Sequence, residues 1–143
     1  MMRLVIDANI LVAELLRKRG RDLIRLPELE FYLAEQVKDE AQYELRKRVK
    51  KIVSQGKLTE LTGEEQLKAA LQLIETKIRL VPKAFYSYLE AEARKRIPRD
   101  PNDWETVALA LALPAEIWTE DSDFLGCGCP TWTTQTLLLQ LIN

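Results

Sequence analysis

The sequence predicts an α/β fold: a parallel sheet with helices on both faces. Three observations carry this reading. Five short apolar runs recur along the chain, near Leu4–Ile6, Leu29–Leu33, Ile78–Val81, Ile117–Thr119 and Pro130–Thr133. Stretches with helical spacing of apolar residues separate most of them, and alternation of strand and helix implies parallel pairing. The length, 143 residues, suits one core and one domain spanning residues 1–143.

The elements follow in order. Leu4-Val5-Ile6 is a buried strand that delivers Asp7 at its C-terminal end. A helix begins at once, with Asn9 as N-cap, and runs to Arg19, where Gly20 serves as the residue that ends it. Arg21–Leu26 is a short turn or helix stopped by Pro27, and the second strand comes next. Val37, Ala41, Leu45, Val49 and Ile52 mark one face of a long helix over Ala34–Val53. Thr62-Gly63-Glu64-Glu65 has the spacing of a capping box and opens a helix that runs to about Thr76. After the third strand, Lys83–Lys95 reads as one helix. A loop over Ile97–Asp103 leads into a helix whose Ala108, Ala110 and Ala112 permit close approach to a sheet, and Pro114 ends it. The fourth and fifth strands and a closing helix, Thr134–Ile142, complete the chain.

Composition excludes several chemistries. Histidine is absent, which removes His-based general base catalysis, the Ser-His-Asp triad and His-ligated zinc. The net charge of −1 gives no global attraction to nucleic acid, so local patches must supply any. Cys127 and Cys129 stand in C-x-C spacing and read as reduced thiols in a turn, with a redox role as the other reading. No apolar run approaches the roughly 20 residues that span a bilayer. The N-terminus leads straight into a strand pattern without a leader-like segment. The expectation is a cytoplasmic protein without a membrane partner.

The right-handed crossover rule puts the C-terminal ends of parallel strands on one edge. Four acids reach that edge from separate segments: Asp7 after strand one, Glu40 early in the helix after strand two, Asp103 at the start of the alanine-rich helix, and Asp121 after strand four. Two unit charges brought to ~4 Å repel by roughly 4 kcal/mol at an effective dielectric of ~20. Protons or a divalent cation must offset such a cluster. Oxygen-only ligands suit Mg²⁺ or Mn²⁺.

The motifs resemble those of the PIN domain family of metal-dependent nucleases. Val5-Ile6-Asp7-Ala8-Asn9-Ile10-Leu11 resembles its opening motif, and Ala34–Glu40 resembles the segment that carries its Glu. Arg99-Asp100-Pro101-Asn102-Asp103 with Thr106–Ala110 is similar to the third motif, and Trp118–Phe124 to the fourth. The resemblance spans the chain. It implies a three-layer fold with strand order 3-2-1-4-5, and Asp7, Glu40, Asp103 and Asp121 as catalytic and metal-holding acids. Asp123 joins them as a further metal contact. Glu44, one turn beyond Glu40, is the alternative to it.

The implied reaction is Mg²⁺- or Mn²⁺-dependent hydrolysis of phosphodiester bonds in single-stranded RNA. Water is the nucleophile, which suits a chain without histidine. Resemblance alone also implies the toxin half of a toxin–antitoxin pair, hence an antitoxin protein partner and a homodimer. The competing reading is a non-catalytic PIN-like module that binds RNA or protein. Asp100 reads as a turn residue, Asn9 as a cap, and Trp104 as core rather than a base-stacking platform. Thr119 either orients Asp121 or serves only as a strand residue. Three basic clusters, Arg17–Arg21, Arg46–Lys51 and Arg94–Arg99, are either RNA contacts or solvated helix faces.

Overall fold

The computed structural model describes residues 1–142; Asn143, the last residue of the expected domain, lies outside the described residues. Five parallel strands form one sheet in the order β3-β2-β1-β4-β5. They are β1 (Met2–Ile6), β2 (Leu29–Ala34), β3 (Ile78–Val81), β4 (Glu116–Trp118) and β5 (Thr131–Trp132). The fold class and the strand order agree with the expectation.

Strand β1 lies at the centre because its residues tolerate burial on both sides. Leu4, Val5 and Ile6 are consecutive and fully buried, so both faces of the sheet are covered. Each such side chain contributes about 1.5–3 kcal/mol on removal from water. Leu4 pairs with Phe31 of β2 on one side and Glu116 of β4 on the other. Phe31 and Trp118, one strand to either side of β1, meet with ring centroids 5.6 Å apart. The chain leaves β1 toward β2 and later returns to β4 on the other side. That reversal opens a crevice beyond the C-terminal ends of β1 and β4.

The helices are α1 (Ala8–Leu15), α2 (Lys18–Ile24), α3 (Glu35–Ser54), α4 (Glu60–Lys77), α5 (Glu90–Arg96), α6 (Trp104–Ala112) and α7 (Thr134–Ile142). Among the described residues none is long and apolar enough to cross a membrane. Helix α6 presents an almost continuous buried face, Val107 to Ala110, and packs on β1, β2 and β4. Its alanines keep the helix close to the sheet.

Four local expectations are corrected. The cap of α1 is Asp7, not Asn9. Helix α1 stops at Leu15, and Gly20 lies inside α2 rather than after α1. A Cβ at Gly20 would collide with the Glu14 backbone carbonyl, so glycine there permits α2 to press against the end of α1. Helix α4 starts earlier than the capping-box reading: Thr59 is its cap and accepts from the Thr62 amide at 3.1 Å. The segment expected as one helix over Lys83–Lys95 is two 3₁₀ turns, Lys83–Phe85 and Ser87–Leu89, followed by α5. Tyr86 explains the break: it is fully buried between the turns and packs on Trp104 at 5.9 Å.

A buried acid ties these pieces together. Glu14 is 0% exposed and receives Arg19 Nη2 at 3.0 Å and Arg17 Nη1 at 3.4 Å. The Thr134 hydroxyl at the start of α7 donates to it at 3.3 Å and accepts from Trp118 Nε1 at 3.0 Å. Arg17 and Arg19, read as candidate RNA contacts or a solvated face, are half-exposed and compensate the buried Glu14 charge from the surface.

Replacing Gly20 by Ala forces α1 and α2 apart. The expected loss is about 1–3 kcal/mol of stability, the usual cost of overpacking, read as a lower urea midpoint with an unchanged slope.

Candidate acid site

The site is assembled at the crevice between β1 and β4. Asp7 follows β1 directly, and its amide donates to the Trp118 carbonyl of β4 at 3.1 Å. Parallel pairing of two strands far apart in sequence thus fixes where the Asp7 backbone lies. Its carboxylate is held from the same side: the Thr119 hydroxyl donates to Asp7 Oδ2 at 2.9 Å. The same hydroxyl accepts the Asp121 amide at 3.0 Å. One oxygen therefore sets both the Asp7 carboxylate and the Asp121 backbone. Asp121 in turn caps a 3₁₀ turn, Ser122–Phe124, by accepting the Asp123 amide at 2.9 Å.

Asp103 arrives from another direction. A 3₁₀ turn, Pro101–Asp103, follows α5 and runs directly into α6, so Asp103 sits at the cap position of α6. Glu40 projects from the second turn of α3. Asp7, Glu40, Asp103 and Glu105 line one hollow of about 90 Å³, with Asn9 and Asn102 at its wall. Asp7 and Asn9 also line an adjoining hollow of about 290 Å³, shared with Asp121 and Glu120. Asp7 and Asn9 are the walls common to both. Glu44 belongs to neither wall. Asp123 faces Arg99, whose Nε lies 3.3 Å from its Oδ1 while Nη2 donates to the Ser122 carbonyl at 2.9 Å.

The electrostatics agree with the geometry. Asp7 is 8% exposed. Burial raises its pKa above 3.8; the Thr119 hydroxyl and the Asn9 backbone N–H oppose the rise, and the charges of Asp121 and Glu40 add to it. Burial pushes Asp103 up to about 7, helped by repulsion from Asp100 and Asp7, a hydrogen bond with Asp100, and repulsion from Asp121. Glu105 is also raised, chiefly by burial. Asp7, Glu40, Asp103 and Asp121 thus act on one another although they come from four separate segments.

The donor set is oxygen only, in a hollow with a buried carboxylate and surplus negative charge, and this fits a hard divalent cation. Among the described residues no three carboxylates or thiols converge closely enough to enclose an ion as they stand.

The sequence reading missed three participants. Asp100 is the turn residue expected, its carbonyl accepting the Asp103 amide at 3.3 Å, and its charge also raises the Asp103 pKa. Glu120 accepts the Thr134 amide at 2.9 Å and lines the Asp121 hollow. Glu14 was legible in principle, since it falls on the face of Ile10 and Leu11, where an acid at core spacing signals a buried pair. Thr119 orients Asp7 as well as Asp121. Trp104 is core, as expected, and Lys83 and Arg94 lie against its ring at 5.9 and 5.6 Å.

These acids raise a pH dependence of fixed sign. A carboxyl whose folded pKa exceeds its unfolded value stabilises the fold fully below about 3.8, and that contribution is lost as pH rises through about 7. In EDTA, the melting temperature is expected to fall as pH rises across this window. Asp103→Asn should flatten the fall and raise the melting temperature near pH 8, as calorimetry would show.

Comparison with known proteins places the chain. Among curated proteins none matches it in sequence. A solved structure titled "Crystal structure of PAE2754 from Pyrobaculum aerophilum" aligns with 99% of this chain and 90% of its own, at 16% identity and a TM-score of 0.63. A second, "Crystal Structure of FitAcB from Neisseria gonorrhoeae", aligns with 92% of this chain and 98% of its own, at 17% identity and a TM-score of 0.56. At these identities the two likenesses speak for the fold. The family model described as a PIN domain matches residues 5–142, nearly the whole chain. The chain belongs to the PIN domain family, a family of nucleases.

Proposed function

We propose that this chain, acting as one domain in the cytoplasm, is a metal-dependent endoribonuclease that hydrolyses phosphodiester bonds of single-stranded RNA. The observation that carries the reading is the hollow in which Asp7, Glu40 and Asp103 meet from β1, α3 and α6, next to Asp121. In this reading Asp7, Glu40, Asp103 and Asp121 hold Mg²⁺ or Mn²⁺, and Asp123, kept beside Asp121 by Arg99, completes the rim. A bound divalent ion supplies a water of lowered pKa and neutralises charge developing on phosphoryl oxygen. The protein's own contribution is orientation. The Thr119 hydroxyl holds the Asp7 carboxylate in the orientation in which it would bind an ion. Burial of Asp7 keeps bulk water from competing for the carboxylate.

Helix α3 supports RNA as substrate. Gln36 and Glu40 line the hollow, and Tyr43, Lys47 and Lys50 continue the same face at spacings of three and four residues. Tyr43 is 65% exposed, and among the described residues neither lysine forms an ion pair. In contrast, Arg94, Arg96 and Arg99 of another basic cluster are paired with Glu90, Glu92 and Asp123. The α3 face runs roughly 15 Å from Glu40 to Lys50 at 1.5 Å per residue. It gives a strand leaving the acid hollow an aromatic surface followed by two cations.

The family resemblance, rather than the site, extends the proposal to the toxin half of a toxin–antitoxin pair, with an antitoxin protein and a second copy of the chain as partners. Leu80 on edge strand β3, and Phe85 and Tyr88 just after it, are exposed and offer apolar area to such a partner.

Purified protein is expected to cut labelled single-stranded RNA with Mg²⁺ or Mn²⁺, to stop in EDTA, and to lose cleavage in Asp7→Asn. RNA binding that persists in every sample without any cut would instead support a binding module. Thr119→Val should lower the cleavage rate about 10–100-fold with binding retained, the usual effect of removing a partner that orients a ligand carboxylate. In an Asp7→Asn background, Lys47→Ala with Lys50→Ala should weaken RNA binding and reduce its salt slope by about 0.7 for each phosphate no longer neutralised. An unchanged slope would remove α3 from the binding surface.

A further inference from the structure

The loop Leu125–Pro130 joins the Asp121 turn to β5 and lies outside both acid hollows. Its sequence is Leu-Gly-Cys-Gly-Cys-Pro. Cys127 and Cys129 are both free thiols. The Cys127 thiol donates to the Cys129 carbonyl at 3.8 Å. Gly126 and Gly128 hold φ of +82° and +92°, conformations that other residues rarely adopt.

Gly128 matters most. Two residues apart in an extended chain lie ~6.6–7.2 Å apart, at or beyond the ~4.4–6.8 Å between the Cα atoms of a disulfide. A left-handed bend at the intervening residue shortens that span. Gly128 also lacks the Cβ that would strike the Arg96 guanidinium. Arg96 comes from the end of α5 and donates Nη1 to the Cys127 carbonyl at 3.0 Å. It thereby fixes a cation beside the sulfurs. Cys127 is 1% exposed, and Cys129 is partly open to solvent. Among the described residues no carboxylate joins the thiols in a three-ligand metal group.

We propose that Cys127 and Cys129 form a dithiol–disulfide site that exchanges with small-molecule disulfides. The pair carries one proton fewer than two ordinary thiols near neutral pH. The hydrogen bond from Cys129 pulls the Cys127 thiol down to about 6, and Arg96 assists. The same contact and burial push Cys129 up, so the two sulfurs share a single thiolate.

The exchange balances in two steps. The Cys129 sulfur, the more accessible one, takes the shared negative charge as the remaining proton passes to Cys127. It attacks one sulfur of the small disulfide, forms a mixed disulfide and expels one thiolate. The Cys127 thiol then releases its proton to solvent and attacks the Cys129 sulfur. A second thiolate leaves and an 11-membered ring closes. The two protein sulfurs are oxidised, and the two sulfurs of the small disulfide are reduced. No step uses the acid hollow, so the proposal stands apart from the nuclease reading.

The test incubates the full chain with glutathione and glutathione disulfide at graded ratios near neutral pH, beside a free peptide of residues 126–130. The expected product is monomeric, lighter by two hydrogen atoms, with no reactive thiol and with the new bond mapped to residues 125–130. It should form at an oxidant ratio about tenfold lower than the peptide needs, because the fold presets the bend. Cys127→Ser should stop at a glutathione adduct on Cys129, and Arg96→Ala should close the ring several-fold more slowly. A wild-type chain that keeps both thiols where the peptide is fully oxidised would overturn the proposal. So would one that yields only glutathione adducts or bonds between chains.

Discussion

The hydroxyl of Thr119 joins two parts of the chain that share no local sequence. It donates to the Asp7 carboxylate and accepts the Asp121 amide, with Thr119 and Asp7 standing 112 positions apart in the chain. A single side-chain oxygen can do this only because β1 and β4 are neighbours in the sheet. That adjacency sets the Ile6–Trp118 register and places the next residue of each strand at the same rim. The rim is a topological switch point, where side chains can emerge without being covered by a crossover helix.

Most of the molecule serves to hold that rim still. Central strand β1 is buried on both faces, so its C-terminal end has little freedom. Helix α6 stays close to the sheet through its small residues and carries Asp103 inward at its start. Behind the rim, the fully buried Glu14 links α1, the following arginines and the start of α7 through Thr134, and Thr134 also accepts from Trp118 of β4. The elements that deliver Asp7 and Asp121 are therefore braced by a second polar network, which reaches the Asp121 hollow through the Thr134 amide and Glu120. Removal of one partner from such a network leaves a buried charge uncompensated, which costs far more than the net worth of the pair.

Charge is what the rim concentrates. Arginines elsewhere compensate acids one by one: Arg94 with Glu90, Arg96 with Glu92, Arg99 with Asp123. The described ion pairs include none to Asp7, Glu40, Asp103 or Asp121. Burial first, and their mutual repulsion after it, raise the proton affinity of Asp7 and Asp103. An anionic substrate approaching these four acids needs a cation between itself and them. In the proposed reading Asp7, Glu40, Asp103 and Asp121 would hold divalent metal, which would offset their charge and that of the phosphate.

The linear sequence determined the alternation of strands and helices, because apolar period and run length are local properties. It also marked Asp7, Glu40, Asp103 and Asp121, since each stands at the end of a strand or near the start of a helix in a recognisable motif. It could not show which arginines reach Glu14, that Asp100 acts on Asp103, or that Asp123 turns to Arg99. Those are contacts between side chains, chosen by packing after the sheet forms. The boundary errors have the same origin. Gly20 looks like a helix end by propensity, but the close approach of α1 and α2 made it an interior residue. Tyr86 looked like part of one helix until its burial beside Trp104 broke the run into two turns. Local chemistry fixed which residues could meet. Tertiary packing decided which of them do, because distance between side chains is a property of the folded chain alone.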